Sequence, residues 1–354
     1  MKQPLELLSE FAMVNRLTKP FLRSPLQVNG LHEADAELVR LPDGSFLAAT
    51  VDTLLEEYSM GLIRDPFTVG WSVAAHSLSD LAAVAADPIG VLLSVTLPRD
   101  QAPEWSETFF TGVQAALARH GTHCLGGDTS FGAQPSFSCT ALGHIKGGQG
   151  IAPLTRVGAK AGDVIYITGP LGTGNLLAIA KQVAPDMWAS LDKSYRPLAR
   201  LVEGRSLRDY VRCAIDTSDA LIQALAILSD LNDVGVEFEH RESLYDERLV
   251  RLASQIRFPL WLVNVFGLGD YELVLPVDPA READFVAHAQ DKKISVTRIG
   301  RMTSNPGMRL ISDGIMHELD VPYLLNLFAT CESIPKYLEA LVAYDNRLHN
   351  SALK

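Results

Sequence analysis

The chain has 354 residues, 47% hydrophobic and 21% charged, which excludes a mostly disordered protein and leaves enough length for two buried cores. Its formal net charge of −11 excludes the clustered basic surface on which nucleic-acid binding depends. No apolar run reaches about 18 residues, the opening MKQPLELLSEFAM is too charged for a secretory leader, and Cys124, Cys139, Cys213 and Cys331 lack any metal spacing and read as free thiols. The expectation is a soluble cytoplasmic enzyme with neither nucleic acid nor membrane as partner.

In chain order, residues 1–30 read as an arm, with an amphipathic stretch over 5–17 and a Pro-containing connector. The turn Pro42-Asp43-Gly44 introduces a strand over 45–51. A helix rich in small residues follows over 67–86, closed by Asp87-Pro88. A strand over 91–97, an amphipathic helix over 104–120 ended by Gly121, and a strand into Leu125 come next. Gly126-Gly127-Asp128-Thr129 reads as a turn at that strand's end, and 136–145 returns as a strand. Lys146-Gly147-Gly148-Gln149-Gly150 is the candidate linker. It separates an expected first domain over 31–148 from a second over 149–320. That second half opens with a strand over 164–168, a Gly-rich turn and a helix to Val183. It continues with a helix from Ser218 to about Leu231, strands near 234–238 and 271–277, and a helix over 280–290. A helical tail over 321–354 ends the chain. Strands alternating with helices indicate α/β and α+β architecture.

The chemistry is carried by where aspartates fall. Asp52 ends an apolar strand, Asp80 lies in an Ala-rich helix, Asp128 follows two glycines, and Asp216 and Asp219 bracket a helix start. Aspartate is seldom buried without a partner. Grouped carboxylates raise one another's pKa unless a cation neutralises them, and Mg²⁺ is the hard ion held by a few carboxylates together with substrate phosphates. Taken singly, Asp219 reads as an N-cap rather than a ligand, and Gly126-Gly127-Asp128 as an ordinary turn. His76 and Asp80, four apart on one helical face, could share a metal, or His76 could be a core histidine. Gly169-Pro170-Leu171-Gly172-Thr173-Gly174 lacks the GxGxxG spacing and reads as a helix entry turn.

Six ordered segments between residues 30 and 277 resemble thiamine-monophosphate kinase, of the superfamily of aminoimidazole ribonucleotide synthase, selenophosphate synthetase and a hydrogenase-maturation protein. They are Thr50-Val51-Asp52-Thr53-Leu54, Ser77-Leu78-Ser79-Asp80-Leu81-Ala82-Ala83 and Gly126-Gly127-Asp128-Thr129. Then come Arg156 to Asp163, Ile215-Asp216-Thr217-Ser218-Asp219-Ala220-Leu221 and Gly269-Asp270-Tyr271-Glu272-Leu273. The resemblance implies a two-domain aminoimidazole ribonucleotide synthase-like fold. The N-terminal sheet would pair with that of a second subunit in a homodimer, with ATP as substrate and several Mg²⁺ ions between the domains. It further implies that Asp35, Thr50, Asp52, Asp80, Asp128, Asp216 and Asp219 hold metal. Arg156 and Ser218 would contact nucleotide, and Gly126 and Gly127 would set backbone N–H groups near phosphate. In phosphoryl transfer the protein mainly positions groups and neutralises charge. An acceptor that is already an ionised phosphate has no proton to lose, so no catalytic base is expected.

The acceptor half departs from that pattern. Gly30-Leu31-His32-Glu33-Ala34-Asp35-Ala36-Glu37 keeps only Asp35 of a paired acidic motif. Ser59 stands where the kinase has a substrate-binding histidine, Gly269 where it has a glutamate, and Asp219-Ala220 where it has Asp-Gly. The aromatic and histidine-containing C-terminal motif of the kinase is replaced by Asp320-Val321-Pro322-Tyr323. The expectation is a Mg²⁺-dependent, ATP-using kinase acting on a different small anionic metabolite. An ATP-dependent ligase or cyclase that activates an amide or carbonyl oxygen, or a non-catalytic nucleotide-binding protein, are the other readings.

Overall fold

The computed structural model describes residues 9–148 and 152–351. Residues 5–8 of the expected amphipathic stretch, Gln149 and Gly150 of the expected linker, and residues 352–354 of the tail lie outside them. The first half comprises α1 (Ser9–Thr18), β1 (Glu37–Arg40), β2 (Phe46–Thr53), α2 (Glu56–Ser59), α3 (Pro66–Ala83), β3 (Asp87–Leu97), α4 (Pro103–Arg119), β4 (Cys124–Phe131) and β5 (Ser136–Ile145). Its five strands run in the order β1-β2-β5-β3-β4, with β3 and β4 parallel and the other pairs antiparallel.

Alternation along each strand decides what the sheet covers. Phe46 and Ala48 of β2, Val91, Leu93 and Val95 of β3, and Phe137, Cys139 and Ala141 of β5 are buried against the helical layer, where Leu78, Phe109 and Leu117 lie. The opposite face, with Val51, Leu92 and Leu125, is exposed. Helix α3 starts cleanly because Asp65 caps it, accepting from the N–H of Thr68 at 2.9 Å, and Pro66 occupies its first turn. It meets α4 closely at glycines: a Cβ on Gly70 would strike the Phe109 carbonyl, and one on Gly112 the Phe67 carbonyl.

The second half follows as β6 (Val164–Thr168), α5 (Thr173–Val183), α6 (Pro185–Ser194), α7 (Leu201–Leu207), β7 (Ile215–Asp216), α8 (Leu221–Asn232), β8 (Gly235–Glu239) and α9 (Glu247–Ile256). After these come β9 (Leu273–Val277), α10 (Glu282–Asp291), β10 (Val296–Thr303), β11 (Met308–Ser312), β12 (Ile315–Leu319), α11 (Val321–Asn326) and α12 (Ile334–Ser351). Seven strands order β12-β11-β8-β10-β6-β9-β7. The continuous apolar runs of β6 and β9 mark strands covered on both faces. Val164, Tyr166, Leu273 and Leu275 point into the core shared with α3 and α7, while Ile165, Ile167 and Val274 point into a second core with α8. The tail is built into that second core through Tyr337, Leu341, Tyr344 and Leu348, and Asp345 accepts from the indole N–H of Trp261 at 2.6 Å.

Two local expectations differ. Gly126 to Thr129 form no turn but continue β4, because β3 pairs alongside in parallel and Gly127 lies against the Leu93 backbone with no room for a Cβ. Strands β10 to β12 and helices α6 and α7 carry weak or short patterns and emerge only in the folded sheet and its cover, whereas α9 is strongly amphipathic, burying Leu249, Leu252 and Ala253. Among the described residues, no helix is long and apolar enough to cross a membrane.

Candidate functional site

The spacing in Phe46-Leu47-Ala48-Ala49-Thr50-Val51-Asp52 puts Thr50 and Asp52 on the helix-facing side of β2, beyond the buried Phe46 and Ala48. There they meet α3. Thr50 donates its hydroxyl to Asp80, and Ser77, beside Asp52, donates its hydroxyl to the Cys139 carbonyl at 2.7 Å. From the second half, Asp216 at the end of β7 reaches the same place, accepting from Ser79 at 2.5 Å and from Ser218 at 2.9 Å. Asp35, in the loop before β1, completes the group: carboxylate oxygens of Asp35, Asp80 and Asp216 lie within 4.8 Å of one another. Arg156 reaches across with Nη2 donating to Asp35 at 2.9 Å and its backbone N–H to Glu33 at 2.7 Å.

The charge in this cluster is incompletely answered. Burial raises the pKa of Asp80 well above the ordinary carboxylate range, and the charges of Asp52, Asp216 and Asp35 push it further. Asp216 is pushed up to about 7, first by burial and then by Asp35. Burial raises Asp52 as well, with Asp35 adding repulsion. One oxygen each of Asp35 and Asp52 is buried without a hydrogen-bond partner, as is Nε of Arg156. Four carboxylates offering only hard oxygens, two of them with idle lone pairs, fit a divalent cation of the Mg²⁺ kind.

Not every expected residue joins the cluster. Asp128 lies on the exposed edge strand β4, opposite Ser94. Asp219 is exposed, accepts from Gln223 at 2.5 Å and lines a neighbouring cavity of about 260 Å³. That cavity is walled by Glu57, Asn175, Phe266, Phe328 and Tyr337 as well, and takes Met60 and Leu268 in its lining in place of Ser59 and Gly269. Ser59 is exposed and turned back on the Glu56 carbonyl. Gly269 lies against the backbone carbonyls of Thr217 and Ser218, with no space for a side chain. The turn at Gly172 to Gly174 is a helix entry: Asp270 accepts from Gly174 N–H at 3.0 Å and from Gly172 N–H, taking the donors a phosphate would use. His76 is a core histidine, hydrogen-bonded to Tyr271.

Two functional side chains carry no local signal in the sequence. Ser79 stands inside a motif, but nothing in its spacing says that its hydroxyl serves the distant Asp216 carboxylate. Glu57, half-buried on α2, faces the cavity only because Phe266, Phe328 and Tyr337 fold around it.

These carboxylates give a pH signature. Asp216, Glu57 and Glu272 are all pushed up to about 7 by burial, so the folded chain keeps protons that the unfolded chain releases near pH 4. Their stabilising contribution is full below about pH 4 and lost as pH rises through about 7. The melting temperature of metal-free protein is expected to fall by several degrees between about pH 5 and about pH 8, and Mg²⁺ should recover part of it at the higher pH. A flat profile, unmoved by Mg²⁺, would show that these groups ionise freely.

The model of the AIR synthase related protein, N-terminal domain, matches residues 33–145. The chain is similar to the thiamine-monophosphate kinase of Escherichia coli strain K12, 31% identical over 320 residues, covering 88% of this chain and 96% of the relative. The crystal structure of thiamine-monophosphate kinase from Stenotrophomonas maltophilia K279a aligns with a TM-score of 0.67 at 29% identity, over 87% of this chain and 97% of that one. AaThiL complexed with AMPPCP and TMP aligns with a TM-score of 0.71 over 89% of this chain and 96% of that one, and at 24% identity shares the fold.

Proposed function

The chain belongs to the thiamine-monophosphate kinase family, and from that premise we propose that it transfers a phosphoryl group from Mg²⁺-bound ATP to a small anionic metabolite other than thiamine monophosphate. The observation that carries the reading is the convergence of Asp35, Asp80 and Asp216 within 4.8 Å, with unpartnered oxygens on Asp35 and Asp52. Asp35, Asp52, Asp80 and Asp216 would hold Mg²⁺, with Asp219 and Asp128 at the margin. Bound there, Mg²⁺ supplies charge neutralisation to the phosphates. The chain's own part is orientation. Ser79, Ser218 and Thr50 fix the carboxylates by hydrogen bonds, and Arg156, anchored on Asp35, sets a cation beside them. Among the described residues Gly126 and Gly127 sit on β4 next to Asp128, and an N–H on the edge away from β3 would be the one to meet a phosphate. The acceptor would enter the cavity bounded by Glu57, Asn175, Phe266 and Tyr337.

Packing around position 269 supports the altered acceptor. A glutamate at position 269 would collide with the Thr217 and Ser218 carbonyls, so this position offers no side chain to an acceptor. Losing two recognition groups at about 1 to 3 kcal/mol each lowers binding by orders of magnitude. With Mg²⁺·ATP and micromolar thiamine monophosphate, ADP release is expected to stay at the level of ATP alone, with no thiamine diphosphate formed. Robust thiamine diphosphate formation would overturn the substrate reading while leaving the kinase reading intact. A ³¹P NMR screen of phosphorylated metabolites then identifies the acceptor, and free phosphate appearing only with an amine donor would instead mark a ligase.

A homodimer belongs to the same proposal. Every residue of β4 is exposed, and Leu125, Leu92 and Val51 lie uncovered on that sheet. An unpaired edge beside an apolar face favours pairing with a second copy. Sedimentation at micromolar concentration should give twice the 38.5 kDa chain mass, and a clean monomer would exclude the paired sheet.

A further inference from the structure

We propose that His76 and Tyr271 form a positioning pair that sets the spacing between the carboxylates of the first half and those of the second, an inference that rests on the Mg²⁺·ATP reading above. His76 lies on α3 one turn before Asp80, on the same helical face. Its Nε2 shares a hydrogen bond with the Tyr271 hydroxyl, and the two rings are 4.7 Å apart. Tyr271 is 1% exposed. Burial pushes His76 down to about 3, so the link joins two neutral groups and adds no charge to the carboxylate cluster.

The tyrosine's backbone is tied to the other bank. Asp270 and Tyr271 donate their N–H groups to the Thr217 carbonyl at 3.2 and 3.3 Å. Thr217 N–H donates to the Glu272 carbonyl at 2.8 Å, and Glu272 N–H to the Thr217 hydroxyl at 3.0 Å. Thr217 sits between Asp216 and Ser218, and Gly269 packs directly on its carbonyl. A shift of Tyr271 therefore carries Asp216 with it. Tyr271 holds φ +57, a left-handed conformation that a bulky side chain adopts only when its surroundings enforce it. Here the enforcing contacts are the Thr217 stitches on the main chain and His76 on the side chain. The neighbouring link, Ser79 to Asp216, occupies a carboxylate oxygen, whereas His76–Tyr271 spans the same gap without using a ligand atom. It thus persists unchanged when the carboxylates turn to a cation.

The test is calorimetric titration of Mg²⁺ into full-length protein saturated with AMPPCP, for wild type, Tyr271→Phe, His76→Leu, His76→Gln and the Tyr271→Phe/His76→Leu double variant. Tyr271→Phe and His76→Leu should each weaken Mg²⁺ binding about tenfold, the double variant no further, because both remove one shared interaction. His76→Gln, which keeps a hydrogen-bonding group on α3, should recover most of the loss. Variants that melt earlier yet bind Mg²⁺ like wild type would reduce the pair to a packing contact and overturn the inference alone. Failure of wild type itself to bind Mg²⁺ with AMPPCP would overturn the kinase reading and the inference together.

Discussion

Asp80→Asn is expected to abolish Mg²⁺·ATP-dependent turnover, lowering kcat/KM on the order of a thousandfold or more, while the fold is kept. Asp80 is central to the carboxylate group: Asp52, Asp216 and Asp35 all act on its charge, and Thr50 orients it. Asparagine has the same shape but offers one neutral oxygen in place of a charged pair, so the attraction for a divalent cation falls steeply. The same change removes a buried repulsion. Metal-free Asp80→Asn should therefore melt no earlier than wild type at about pH 8, and Mg²⁺ should raise its melting temperature less. ADP release and thermal melting with and without Mg²⁺ check both halves. Retained activity would remove Asp80 from the site, and a large drop in melting temperature would assign it a structural role.

Gly112→Ala is expected to destabilise the chain by about 1 to 3 kcal/mol, with Gly112→Val worse. Helix propensity alone gives the opposite sign, since alanine within a helix is favoured over glycine by about 1 kcal/mol. Packing decides the matter: the new methyl group would meet the backbone carbonyl of Phe67, which cannot move aside as a flexible side chain would. Gly70 meets the Phe109 carbonyl in the reciprocal contact. Separating α3 from α4 would loosen Phe109 and Leu117 in the core and shift the helix that carries Asp80. Gly267→Ala, with open space around it, serves as the tolerated control. Denaturant unfolding of the three variants measures the differences, and a stabilised Gly112→Ala would show that the two helices stand further apart.

How far the sequence speaks depends on the range over which each signal acts. Strands β5 and β6 were readable to the residue, because their apolar patterns are strong and their limits are set by neighbouring glycines, polar residues and turns. Helices α3 and α4 were readable within a few residues for the same local reason. Aspartates set among apolar residues at Asp52, Asp80 and Asp216 point to a divalent cation, while ATP follows only from the resemblance that the motif segments carry. Tertiary structure alone decided which aspartates meet. Asp80 and Asp216 are 136 positions apart in the numbering, and only the packing of α3 on β7 brings their oxygens within 4.8 Å while leaving Asp128 on an exposed edge. It also decided that Gly126 to Thr129 extend a strand, which required β3 beside them, and that Glu57 shares a cavity wall with Tyr337 of the tail. Periodicity along a chain reports the face a residue turns to its nearest neighbours. It carries no record of which distant face that neighbour belongs to, and the site is made of such distant faces.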